Sequence, residues 1–71
     1  MHKFNSDKLK KLRESRGWSL REAAARMVLA GHEKVTYQAW DNWEAGRNQP
    51  SACNIRTLAE LMGVTMEDFY E

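Results

Sequence analysis

The stretch that decides the fold spans residues 35–50 and reads VTYQAWDNWEAGRNQP. Thr36 is a typical helix N-cap, Gly46 is a typical residue just beyond a helix end, and Pro50 is suited to starting the next element. The segment therefore predicts a short helix over residues 36–45.

The predicted helix has one bulky apolar face and one polar face. Trp40 and Trp43 are three positions apart and are therefore neighbours on one side. The other side carries amide, phenol and carboxylate groups, which are the groups that contact base edges in DNA. A short helix of this kind suits insertion into the major groove. The candidate base-contacting residues are Tyr37, Gln38, Asp41 and Asn42.

The length of the chain limits what it can do. A chain of 71 residues makes one small domain, close to the lower size at which a single hydrophobic core suffices. We therefore expect residues 1–71 to form a single domain and not an enzyme with two lobes. Apolar residues make up 42% and charged residues 30%, which is typical of a folded globule. No set of nucleophile, base and orienting group is evident, so we expect no enzymatic activity, cofactor or small-molecule substrate.

Cysteine and histidine usage gives no sign of a metal or disulfide site. Cys53 is the one cysteine, so it can form no intrachain disulfide, and it is interpreted as a small, half-buried residue of the fourth helix. His2 and His32 have no metal-ligand partner at helical spacing and are interpreted as incidental surface residues. The chain has no signal-peptide pattern and no apolar run of about 20 residues, so we expect a cytoplasmic protein without membrane association.

The net charge is only +1, but the charges are unevenly distributed. Residues 1–26 contain eight basic and three acidic residues, a net of +5, whereas residues 51–71 contain one basic and four acidic residues, a net of −3. This polarity favours a phosphate-facing end and an acidic end turned away from a duplex. The alternative is that the lysines near the N-terminus only form a solvated helix surface.

Two helical segments are predicted before the central one. The first is expected to be capped by Ser6 and to stop at Gly17. The second starts at residues 19–22, SLRE, a capping-box pattern in which serine and glutamate each accept a backbone N–H. This helix is predicted to run to Met27, or as far as Leu29, before the turn.

Two more helical segments are predicted after it. The fourth is expected to follow Ser51 and to end at Gly63, and the fifth is expected to be capped by Thr65 and to cover residues 66–70. No segment alternates with a period of two, so no sheet is expected. The fold class predicted is therefore all-α, with five helices. The apolar stripe of the fourth helix consists of Ile55, Leu58, Ala59 and Met62.

These features together resemble the phage repressor and Cro-type helix-turn-helix family, the XRE-like regulators, over about residues 9–70. The family's Trp-Glu-x-Gly ending of the recognition helix appears at residues 43–46, followed by Pro50 and by the Leu-Ala helix at residues 58–64. Each motif is weak alone, but their order and spacing are specific. The resemblance implies a compact helix-turn-helix domain of the lambda-repressor-like type that binds a double-stranded DNA operator as a transcriptional regulator, most simply a repressor.

The resemblance also implies roles for individual residues. Arg13 would pair with Glu44 and hold the first helix against the recognition helix, as part of the scaffold. The polar residues of the recognition helix would contact bases, Gln38 and Asn42 by paired hydrogen bonds to adenine. The candidate phosphate contacts are Ser19, Arg21, Thr36, Arg47 and Asn48.

Two departures from the family pattern are present. Leu20 stands where phage repressors often have a phosphate-binding glutamine, and the connection over residues 28–34 is several residues longer than the usual tight turn. Either the second helix is extended by a turn, or the connection forms a small loop that contacts DNA or a partner.

The sequence is compatible with more than one role for its aromatic residues. The tryptophans are interpreted as core residues, with base stacking as the alternative, and Tyr37 could be a core-edge residue. A protein-interaction module on the same fold, antitoxin-like or anti-activator in type, is the alternative function.

A domain this small buries little surface on DNA, so a homodimer on a pseudo-palindrome is expected. The predicted dimer contact consists of Met66, Phe69 and Tyr70.

Overall fold

The computed structural model describes residues 3–31 and 34–71. This part of the chain is all-helical, and it contains no strand, only an isolated antiparallel bridge between Phe4 and Tyr70. The predicted all-α class is therefore confirmed. The helices are α1 (Ser6–Ser15), α2 (Leu20–Gly31), α3 (Tyr37–Ala45) and α4 (Ala52–Met62), followed by a 3-10 helix (Met66–Phe69).

The predicted fifth helix is a 3-10 helix and not an α-helix, so the described residues contain four α-helices. Thr65 caps this turn in a reciprocal box with Asp68, whose pKa is lowered by the hydrogen bonds that it accepts from the Thr65 backbone and hydroxyl. Tyr70 has an extended conformation, because the chain there leaves the helix to bridge Phe4.

The start of α1 lies one residue earlier than predicted. Asn5, and not Ser6, is the N-cap, and its Oδ1 accepts the N–H of Lys8 at 3.0 Å. The backbone N–H of Asn5 is itself bound to the carbonyl of Phe69 at 2.7 Å. The C-terminal segment therefore fixes where the first helix begins.

Helix α2 is longer than predicted and continues to Gly31. Of the two open interpretations for residues 28–34, helix extension is correct for residues 28–31. Ser19 Oγ accepts the N–H of Glu22 at 3.1 Å, as expected for a cap, but the Glu22 carboxylate binds Arg26 and does not complete the box. The predictions for His2 and His32, and for residues 32–33 of the connection, lie outside the described residues.

Helices α3 and α4 begin and end as predicted. Thr36 Oγ1 accepts the N–H of Ala39, and Ser51 Oγ accepts the N–H of Asn54. Each helix ends at a left-handed glycine, and at Gly46 the φ angle of +77° is one that side-chain-bearing residues rarely adopt.

The core lies where α2 meets α3 and α4, and where α1 and the 3-10 helix close over them. The prediction that the tryptophans are core residues is confirmed for Trp40, which is 0% exposed, and for Trp43, whereas Trp18 is half-buried at the edge of the core. None of the described helices is long and apolar enough to span a membrane. The largest fully buried side chains are Trp40, Phe69, Leu9, Met27, Ile55 and Leu58.

Two predictions about burial are wrong. Cys53 is exposed and not half-buried, because it lies on the opposite side of α4 from the buried stripe that begins at Ile55. Phe69 is fully buried and stacked on Phe4, with ring centroids 5.8 Å apart, so it cannot form a dimer contact. Met66 and Tyr70 are half-buried and pack against the same core.

Candidate nucleic-acid interface

Helix α3 is held in place by its inward side. Trp40 and Trp43 pack in the core with ring centroids 6.0 Å apart. The only polar atom of each indole is its N–H, and that of Trp40 donates to Glu44 Oε2 at 2.6 Å. Burial of two large rings on one short helix leaves it little freedom to rotate about its axis.

A charged pair joins α3 to α1. Arg13 donates from Nε to Glu44 Oε2 at 2.6 Å and from Nη2 to Oε1 at 3.1 Å, so the two residues that the resemblance paired form a bidentate ion pair. Arg13 also donates from Nη1 to the carbonyl of Trp18 at 2.8 Å, just before α2. The hydrogen bond with Glu44 raises the pKa of Arg13, and burial opposes it. Both charges are mostly buried, with side-chain exposures of 14% for Arg13 and 6% for Glu44.

The outward side of α3 is polar. Gln38 is exposed, and Tyr37, Asp41 and Asn42 are partly exposed, so all four predicted base-contacting side chains can be reached from solvent. At 100° per residue, Gln38 and Ala45 lie at the centre of this side, and Asp41 and Asn42 flank it. The small side chain of Ala45 leaves this surface open near the C-terminal end of the helix.

Tyr37 is the fourth of those residues, and it is partly covered. The guanidinium of Arg21 lies over its ring, 4.3 Å from the centroid, in a cation–π contact. Arg21 is exposed and belongs to the first turn of α2, so this contact brings the N-terminal ends of α2 and α3 side by side. A predicted phosphate contact and a predicted base contact thus meet in one place.

The remaining predicted phosphate contacts lie at helix ends. Ser19 and Thr36 are exposed caps whose hydroxyls accept N–H groups of their own helices. Asn48 is exposed beyond α3, and its N–H points to the carbonyl of Asn42 at 3.4 Å. Helix N-termini of this kind offer N–H groups to an anion.

Arg47 is not free in the structure. Its Nε donates to Asn42 Oδ1 at 2.8 Å, and its Nη2 donates to Asp41 Oδ2 at 3.2 Å. The sequence pattern does not predict this arrangement, because Arg47 lies beyond the helix end, five positions after Asn42 and six after Asp41, and neither separation is a helical contact spacing. Two predicted base-contacting residues and one predicted phosphate contact therefore form a single cluster.

Trp18 has a different setting from the other two tryptophans. It is half-buried against the core, and the guanidiniums of Arg16 and Arg26 lie over its ring at 5.7 and 4.7 Å from the centroid. Arg16 also donates to the carbonyl of Met62 at the end of α4, at 2.6 Å. These arginines hold the turn between α1 and α2 in place.

The short helix α3 follows α2 and packs against it. One side of α3 is buried in the core and the other side is polar and accessible. This arrangement is typical of a helix-turn-helix domain. A model of the family described as "Helix-turn-helix domain" matches residues 6–69. The chain therefore belongs to the helix-turn-helix domain family, a class of DNA-binding domain. No curated protein and no solved structure matched the chain significantly.

Proposed function

We propose that the protein binds duplex DNA in a sequence-specific manner through α3 and regulates transcription, most simply as a repressor. The proposal is carried by the two-sided character of α3, whose tryptophans are buried while Gln38 is exposed at the centre of the other side. The bidentate pair of Arg13 and Glu44 supports it, because it fixes the direction in which that polar side faces. The resemblance to phage repressor and Cro-type regulators favours a repressor.

In this proposal, α3 enters the major groove with its N-terminal part leading. Gln38 can form two hydrogen bonds with adenine, to N6 and N7. Tyr37 lies at the edge of the same surface, where Arg21 stacks on it. Phosphate contacts would come from Arg21 and from the exposed caps Ser19 and Thr36, with Asn48 at the other end of α3.

We also propose that the protein binds as a homodimer to a pseudo-palindromic operator, because one domain of this size covers only a few base pairs. The dimer contact cannot include Phe69, which is buried. A regulator of this kind carries out no enzymatic reaction and acts in the cytoplasm, where its operator is.

The proposal is tested by selecting bound sequences from a random pool of duplexes. We expect the wild-type protein to enrich a two-fold symmetric motif that contains adenine, with two chains per duplex. Gln38→Ala should lose the preference at one position in each half of the motif, at a cost of about 1–3 kcal/mol per base pair. Glu67→Ala, an exposed change in the C-terminal 3-10 helix, is the control and should enrich the same motif.

Salt dependence separates DNA binding from the alternative of a protein-interaction module. The affinity of a DNA-binding protein for random duplexes falls steeply as salt rises, because phosphate contacts release counterions. If the wild-type protein bound random DNA weakly at every salt concentration and enriched no sequence, the proposed function would be wrong.

A further inference from the structure

Arg47 folds back onto the polar side of α3, where both its backbone N–H and its guanidinium form hydrogen bonds. Its backbone N–H donates to the carbonyl of Asn42 at 3.0 Å, directly after the left-handed Gly46. Its guanidinium bridges Asp41 Oδ2 and Asn42 Oδ1. Because Asp41 and Asn42 flank the outward side of α3, the bridging guanidinium lies across the surface that would face a DNA groove.

The bridge uses only one edge of the guanidinium plane. Nε–H and one N–H of Nη2 point along that edge, and the remaining N–H groups of Nη1 and Nη2 form a parallel fork at the end of the side chain. Within the part of the chain that the structure describes, Nη1 of Arg47 makes no hydrogen bond, and the side chain is 61% exposed. A parallel fork of two N–H donors is the group that matches O6 and N7 of guanine.

The surroundings of Arg47 favour a base over a phosphate. The carboxylate of Asp41 lies 3.2 Å from Nη2, so it offsets part of the positive charge and would repel a phosphate placed beside it. The guanine edge is uncharged and offers two acceptors, so it is not repelled in the same way. Two acceptors that orient a guanidinium also reduce the entropy lost when the fork binds a base.

We propose that Arg47 recognises a guanine in the operator, and that Asp41 and Asn42 are positioning residues that hold its guanidinium. This inference rests on the proposed DNA-binding function and changes three roles that the sequence suggested. Asp41 orients Arg47 and does not contact a base itself. Arg47 contacts a base and not a phosphate. Asn42 Oδ1 is already bonded to Arg47, so Asn42 does not make the paired contact with adenine while the bridge is intact.

The test compares wild-type protein with Arg47→Lys, which keeps the positive charge but removes the planar fork. We expect the wild-type motif to contain a guanine, and Arg47→Lys to lose about tenfold to a hundredfold in discrimination at that position, with binding to random duplexes unchanged. Replacing this guanine by 7-deazaguanine, which lacks the N7 acceptor, should weaken the wild type by a similar factor and the variant little. Asp41→Asn should lower discrimination at the same position by a smaller factor, since the neutral side chain still accepts a hydrogen bond.

Arg56→Lys is the matched control, because Arg56 is also an exposed arginine next to an acidic residue, Glu60, but lies on α4. It should enrich the wild-type motif. If Arg47→Lys discriminated at the guanine position as strongly as the wild type, or if 7-deazaguanine were tolerated by the wild type, Arg47 would not recognise the guanine and this inference would be wrong, with DNA binding intact. If the wild type enriched no sequence at all, both proposals would be overturned.

Discussion

At the scale of single residues, Glu44 is the side chain through which α3 is bonded to α1. Its two carboxylate oxygens accept from Arg13 of α1 and from the indole of Trp40, and Arg13 in turn reaches the carbonyl of Trp18. The charges are mostly buried, so desolvation offsets much of their attraction, and the main effect is to fix the angle between the helices. The polar side of α3 is thereby presented in one orientation.

We predict that Glu44→Ala lowers the free energy of unfolding by about 3–5 kcal/mol. The change removes the carboxylate that pairs with the Arg13 charge and that accepts from the Trp40 N–H, so Arg13 keeps only its hydrogen bond to the Trp18 carbonyl and its charge is left unpaired. The combined change of Arg13→Met and Glu44→Leu should cost less than Glu44→Ala alone, because no charge is then left unpaired. Urea unfolding, monitored by circular dichroism, measures the free energy of unfolding of the single and the double variant.

Glu60→Ala is the control for this prediction, since Glu60 is an exposed acid on α4. It should change the free energy of unfolding by no more than about 0.5 kcal/mol. A Glu44→Ala variant as stable as Glu60→Ala would mean that the pair does not hold α1 and α3 together.

At the scale of elements, the end of α2 lies unusually close to α4. A Cβ atom added at Gly31 would lie 2.7 Å from Thr57 Cγ2 and 3.0 Å from Thr57 Oγ1. Glycine is typical of turns, but Gly31 lies within α2, past the predicted end of that helix, and its lack of a side chain allows α2 to pack closely on Thr57. The contact between Gly31 and Thr57 helps to fix the position of α2, and α3 packs against α2.

We predict that Gly31→Ala destabilises the protein by about 1–3 kcal/mol because the added methyl group overlaps Thr57. Helix propensity alone predicts the opposite sign, a gain of up to about 1 kcal/mol. Adding Thr57→Ala should restore much of the lost stability, and Thr57→Ala alone supplies the fourth corner of the double-mutant cycle. Thermal and urea unfolding provide the measurement, and an unchanged or higher stability of Gly31→Ala would show that α2 and α4 are not in close contact.

At the scale of the whole molecule, the two ends of the described chain are joined. Phe4 and Phe69 are both buried and stacked, the N–H of Asn5 binds the carbonyl of Phe69, and the N–H of Glu71 binds the carbonyl of Lys3 at 2.8 Å. These contacts between the two ends stabilise the fold, because a small domain has few other residues that could complete its core.

We predict that Phe4→Ala lowers the free energy of unfolding by about 3–5 kcal/mol, as expected for loss of a buried aromatic ring. Lys3→Ala, one residue away and exposed, is the control and should have little effect. Native-state hydrogen exchange should show faster exchange at the N–H of Asn5 in Phe4→Ala. Equal stability of the two variants would indicate that the terminal segment adds nothing to the core.

The sequence by itself determined the local features of this protein. The caps at Thr36 and Ser51, the glycine stops of α3 and α4, and the inward direction of Trp40 depend on residues within about four positions of one another, so the pattern predicts them. The pairing of Arg13 with Glu44, which are 31 positions apart, was expected only from the family resemblance.

Only the tertiary structure decided the features that join distant parts of the chain. Phe4 lies outside every periodic segment, Phe69 is buried by it, and the length of α2 depends on its fit against Thr57. The orientation of Arg47 requires the chain to turn back at Gly46 and is not a property of any one helix. Such contacts depend on how the helices and terminal segments pack against one another, and local propensity and periodicity do not specify this packing.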